Sequence, residues 1–163
     1  MLKLALAILI PFTFIVSAQA AEPSPIARYS AKAKFEDARD DLANAITNQG
    51  LVIDHNSHIA NMLDRTGKDL GKTMRMYGND QAQSFSFCSA AVSRKTMEAD
   101  PHNAVFCPYT IAIYSPLSEP GTVYVAYRRP LRPDNTPASA AALKDVEKLL
   151  DTIAREALNL PAK

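Results

Sequence analysis

The chain has 163 residues, 18 basic and 17 acidic, three histidines, two cysteines and no tryptophan, and 47% of it is apolar. A near-neutral balance of interspersed charges removes the electrostatic basis for nucleic-acid binding or for an anionic membrane surface. The length suits one ordinary domain with a real core, not an array of repeats.

The first segment, "MLKLALAILIPFTFIVSAQA", has one charge, Lys3, then an apolar run from Leu4 to Val16 and a small-residue Ala18-Gln19-Ala20 site. A basic start, a short apolar centre and an A-x-A end predict an export signal spanning residues 1–20, cleaved before Ala21. The apolar run is shorter than the roughly 20 residues a spanning helix needs, and Pro11 interrupts it, so no membrane span is expected after cleavage. The expected compartment is exported: periplasmic, or secreted. Residues 21–25 read as a flexible lead and residues 26–163 as a single domain.

Residues 26–33, "IARYSAKA", suit a first strand. In "KFEDARDDLANAITNQG" the positions Phe35, Ala38, Leu42, Ala45 and Ile46 recur at helical spacing, acids crowd the N-terminal end, and Gly50 supplies a stop. "LVID" reads as a buried strand. A second helix is expected in "NSHIANMLDRTGKDLG", capped by Asn56 or Ser57, with Ile59, Met62, Leu63, Thr66 and Leu70 along one face. "QSFSFC" alternates as a strand, and "SAAVSRKTMEAD" suits a short helix capped by Ser89 and ended before Pro101. "YTIAIYS" and "GTVYVAYRR" alternate at period two around the turn residues "PLSEP", which predicts a hairpin. Thr136 as cap and Pro137 as first helical residue open a last helix with Leu143, Val146, Leu149, Leu150, Ile153, Ala157 and Leu158 in its apolar stripe. "KTMRMYGND" is ambiguous: Met74 and Met76 alternate like a strand and read as strand packing, whereas Gly-Asn-Asp is turn-like.

The order β-α-β-α-β-α-β-β-α predicts a single two-layer α+β domain, a mixed or antiparallel sheet with helices mainly on one face. No nucleotide-binding glycine fingerprint, nucleophile elbow or phosphate loop accompanies it. Catalytic residues are therefore unassigned, and the reading leans away from an enzyme.

The run "GLVIDHNSHIANMLDRTGKDLG", then "FSFCSAAVSRKTMEADP", "CPYTIAIY" and "PGTVYVAYRRP", resembles the bacterial family called domain of unknown function 302. The similarity extends from about Phe35 to Pro130 and takes in the last helix. It implies an α+β fold and no reaction. One departure concerns the fourth strand: many members of the family carry Leu-Pro-Cys there, whereas this chain has Cys107-Pro108-Tyr109.

Three groups of residues are candidates for chemistry. In an oxidising compartment two cysteines in a small domain most often form a disulfide, and an even count leaves no odd thiol, so Cys88 and Cys107 are expected to be bridged. A thiol-based redox pair is the alternative, because a thiol at the start of a helix has its thiolate stabilised by the helix dipole. His55 and His58, with Met62 one turn on, are candidate ligands for a metal such as copper or zinc, although a histidine pair three apart lacks a full ligand set. Polar capping of the second helix is the simpler account of "DHNSH". Arg128 and Arg129, after a tyrosine-rich strand, are candidates for contact with an anion. No cofactor is expected. The partner class is a small ligand or another protein, a homodimer being compatible with the sequence. Function reduces to three classes: an exported non-enzymatic binding or accessory domain with a structural disulfide, a thiol redox protein, or a metal-binding protein.

Overall fold

The computed structural model describes residues 24–162; the expected export signal and Ala21 lie outside them. The elements are β1 (Ile26–Lys32), α1 (Phe35–Asn48), β2 (Val52–His58), α2 (Ile59–Asp69), β3 (Tyr77–Cys88), α3 (Ala90–Ala99), a 3-10 helix (Pro101–Phe106), β4 (Tyr109–Pro116), β5 (Thr122–Arg128) and α4 (Pro137–Glu156). The five strands form one open sheet in the order β1-β5-β4-β3-β2. Every neighbouring pair is antiparallel.

Alternation within the strands sends one set of side chains into the core. Phe85 and Phe87 from β3, Ile111 and Ile113 from β4, and Val123, Val125 and Tyr127 from β5 form that set. α1 contributes Phe35, Leu42 and Ile46, and α4 contributes Leu143, Val146, Leu150 and Ile153. Both helices stop or start where local chemistry dictates. Gly50, just past α1, takes φ +72°, a left-handed conformation that costs glycine nothing. The Thr136 side chain accepts the Ser139 backbone N–H, and Pro137 fills the first turn of α4, where a missing N–H is harmless. Ser89 caps α3 by accepting from the Val92 backbone N–H.

Several expected elements are shifted by tertiary context. β2 runs on through His58, so "DHNSH" lies in a strand and not at its end. β2 is an edge strand, which leaves Val52 74% exposed where a buried strand was expected. α2 begins at Ile59 with His58 at its cap position and no side-chain cap, so neither Asn56 nor Ser57 caps it. Its apolar stripe is not a core stripe: Ala60 is its buried residue, while Met62 and Leu70 are exposed. Met74 and Met76 are exposed and precede β3, so strand packing does not account for them. In α4, Leu150 and Ile153 are buried, whereas Leu149 packs only partly against the core.

A buried polar network joins the 3-10 helix to the start of α4. Asn103 is 1% exposed and Ser139 is fully buried. The Asn103 amide donates to the Thr96 carbonyl and to Ser139 Oγ, both at 2.9 Å. Arg132 donates to Asn103 Oδ1 at 3.0 Å and to Asp100 Oδ2 at 2.7 Å. Asp100 also accepts the His102 backbone N–H at 2.9 Å.

That His102 N–H, followed by the Arg132 guanidinium, holds the Asp100 carboxyl below the usual carboxylate range. Arg132 acts likewise on Asp134. A carboxyl depressed in the folded state stabilises the fold above its unfolded value of about 3.9, and that contribution fades as pH falls through the folded value. The urea midpoint should therefore decline below about pH 4, and Asp100→Asn should flatten that decline while lowering the midpoint at pH 6. A decline unchanged in the variant would remove Asp100 as a source of the acid sensitivity.

Candidate functional site

β3 ends at Cys88, α3 and the 3-10 helix follow, and the chain returns to the sheet at Cys107, just before β4. β3 and β4 are hydrogen-bonded neighbours, with Phe87 opposite Tyr109, so this excursion begins and ends at the same edge of the core. The return brings the two sulfurs 2.6 Å apart. The expected disulfide is nevertheless not formed. A bonded pair stands at about 2.05 Å, and both cysteines are free thiols, each partly exposed.

The surroundings of the pair are specific. Phe87, fully buried, packs edge-on against Tyr109 with ring centroids 6.3 Å apart. Ser93 from α3 lies 3.8 Å from Cys107 Sγ and 3.0 Å from the buried Tyr109 hydroxyl. The peptide bond from Cys107 to Pro108 is cis. Burial pushes the Cys88 thiol up to about 12, reinforced by the contact with Cys107 and by the negative charge of Asp54. The helix-start position expected to favour a thiolate is thus outweighed by desolvation and by an acidic neighbour.

The histidines are not gathered into a site. In register with β3, His55 stands opposite Ser86 and His58 opposite Gln83, so strand alternation puts them on opposite faces of the sheet. His58 Nδ1 lies 2.7 Å from the Asp80 carboxylate, an exposed pair. Asp80 has φ +53°, and the buried Gln83 donates to its carboxylate and to its carbonyl. Asn56 in turn donates to Gln83. This chain of contacts holds the bend at the start of β3, which is the structural role of "DHNSH". Met62 sits exposed on α2. Among the described residues no group of three or more His, Cys, Asp or Glu side chains could hold a metal ion.

The two candidate anion-binding arginines have different surroundings. Arg129 is committed: it pairs with Glu147 and donates to the Ser24 carbonyl. Arg128, one residue earlier, is exposed and has no acidic partner among the described residues. The Asn103–Ser139–Arg132 network went unseen at the sequence level. The cap Thr136 and the Asp-Pro end of α3 mark where its strands of chain begin, but no local pattern tells that they meet.

The sequence pattern of the family described as "Domain of unknown function DUF302" matches residues 26–157. No curated protein matches the chain by sequence. Among solved structures, the fold is similar to that of an uncharacterized conserved DUF302 protein from Bacillus stearothermophilus. The two superpose with a TM-score of 0.68 at 14% identity, over 83% of this chain and 99% of that one. The family match over almost all of the described domain establishes that this chain belongs to the DUF302 family.

Proposed function

We propose that the chain is a small exported binding or accessory domain with no thiol chemistry of its own, and that outside the cytoplasm Cys88 and Cys107 become a disulfide that clasps α3 to the sheet. The observation that carries this reading is the contact of the two sulfurs across the ends of β3 and β4. Closing from that contact to a bond needs a movement of about half an ångström, not a rearrangement of strands. The step takes two electrons and two protons from the two thiols; an incoming disulfide oxidant accepts both and leaves as a dithiol. The bridge would close a loop that, by the chain-entropy estimate, stabilises the fold by about 3 kcal/mol.

Peptide mapping of oxidised protein without reductant should recover the Cys88 and Cys107 peptides joined. The oxidised form should melt above the reduced form, and Cys107→Ser should match the reduced form. Two separate peptides from oxidised protein would end the clasp reading. Intact mass after export from a bacterial host should correspond to a chain starting at Ala21.

A redox protein using the same pair is the second reading, favoured by the partial exposure of both thiols. Against it stands the raised Cys88 thiol, because the thiolate is the attacking species. In the reduced protein iodoacetamide at pH 7 should label Cys88 at least about tenfold more slowly than it labels a free cysteine of ordinary acidity near 8.5. Faster labelling than the free cysteine would favour the redox reading instead.

A further inference from the structure

The face of the sheet turned away from α1 and α4 carries a distinctive set of side chains. By register, Arg28 stands opposite Ala126, Ala126 opposite Ala112, and Ala112 opposite Ser84. One step along, Tyr114 stands opposite Tyr124. The two tyrosine rings stack with centroids 5.3 Å apart, and the Arg28 guanidinium lies over Tyr124 at 5.5 Å. Small residues thus form a floor. A trough of about 570 Å³ meets this floor at Ser84, Ala112 and Ala126, is bounded by Ile59 at the start of α2, by Tyr114 and by Arg128, and reaches Val146 and Leu150 of α4 at one end.

Arg28, Lys32 and Arg128 belong to this face by alternation, and the Glu119 carboxylate accepts the Tyr124 hydroxyl at the far end of the stacked tyrosine pair. Most arginines of the domain have carboxylate partners: Arg39, Arg75, Arg94, Arg129, Arg132 and Arg155. Arg28 and Arg128, which have none among the described residues, are diagonal neighbours on adjacent strands, since Arg28 pairs with Ala126, two residues before Arg128. The Arg28 guanidinium leans over Tyr124 and does not line the trough, whereas Arg128 does and is the one charged residue among the described residues that line it. A guanidinium is the side chain best shaped to hold a carboxylate through two parallel hydrogen bonds.

We infer that this trough is a binding site for a small organic anion with a flat aromatic body, such as an aromatic carboxylate. The carboxylate is held by Arg128, and the ring lies on the Ala112–Ala126 floor against Tyr114. A second copy of the chain fits the face less well, because a two-fold contact would set the same basic residues against each other. The inference rests on the reading of the chain as a binding domain, but not on the thiol clasp.

The test uses 2-naphthoate as probe and 2-naphthalenemethanol as its uncharged counterpart, with binding read by calorimetry and by backbone amide shifts. The expected result is 1:1 binding of 2-naphthoate with a Kd below about 1 mM, shifts centred on Ala112 and Ala126, and roughly tenfold weaker binding of the alcohol. Arg128→Gln should weaken 2-naphthoate roughly tenfold, whereas Arg65→Gln on α2 should leave it unchanged. Ala126→Leu, which fills the floor, should abolish binding of both probes. Absence of binding, equal affinity for the alcohol, or an unchanged Arg128→Gln affinity would overturn the site. So would a concentration-dependent dimer in sedimentation that Ala126→Leu disrupts, since the face would then be covered by a second copy. Mapping the cysteine peptides of the same preparation lets failure of the clasp and failure of the site register separately.

Discussion

Phe87→Ala should destabilise the domain by about 3–5 kcal/mol, the cost of deleting a buried phenylalanine ring and leaving its cavity. Phe87 is fully buried and belongs to the sheet's core face near the end of β3. Its register partners are Ile53 on β2 and Tyr109 on β4, so the ring ties an edge strand to a central one. Its edge-on contact with Tyr109 is lost as well, and Tyr109 in turn positions Ser93 beside Cys107. The effect should therefore extend to the thiol pair. Urea unfolding of the reduced protein would give the stability loss, and the yield of joined cysteine peptides on oxidation should fall in parallel. Phe87→Leu, which retains most of the volume, should lose much less. A loss below about 1 kcal/mol for Phe87→Ala would mean that the strand ends can collapse around the gap and that Phe87 does not hold the cysteines in place.

Asn103→Leu should cost about 2–4 kcal/mol, although it adds apolar surface at a fully enclosed position. The side chains of Asn103 and leucine are similar in size, so packing alone predicts little change. What is lost is the set of hydrogen bonds to Thr96, Ser139 and Arg132. A buried donor or acceptor deprived of its partner bears its full desolvation cost, whereas an apolar group never had one. The double variant Asn103→Leu with Ser139→Ala should recover little of the loss, because in the single variant the Ser139 hydroxyl still donates to Asn135 Oδ1 at 3.0 Å. Chemical unfolding of the two variants beside the parent decides this. An Asn103→Leu protein as stable as the parent would show that the network orients the 3-10 helix without contributing to stability.

Much of the architecture was legible in the sequence because it rests on local periodicity. The three-four spacing of Phe35, Ala38, Leu42, Ala45 and Ile46 marks α1, and period-two alternation marks the β4–β5 hairpin. Caps were equally readable: Ser89, Thr136 and Pro137 act as their chemistry dictates, through bonds that reach no further than three residues. The same local signals misled for α2. Its residues recur at helical spacing, yet the helix lies against β3 and buries only Ala60, because amphipathic spacing reports a helix without reporting what covers it. β2 was too short in the sequence reading for a related reason. Asp54, His55 and Asn56 have low strand preference, and pairing with β3 overrides it.

The candidate sites divide along the same line. The sequence by itself supplied the number of cysteines and the family to which the chain belongs, since both depend only on residue identity and order. Contact between Cys88 and Cys107 was decided by the tertiary structure, through the antiparallel pairing of β3 with β4 that returns the chain to its starting edge. The rise of the Cys88 thiol was decided there too, because burial and the approach of Asp54 from a neighbouring strand are properties of packing. So was the separation of His55 from His58, which strand alternation imposes once β2 extends through both. The buried Asn103 network and the sheet face that carries Arg28 and Arg128 join residues far apart in the chain. Such juxtapositions follow from strand order and register, which depend on how the whole chain buries its apolar surface, and no short stretch of sequence contains that information.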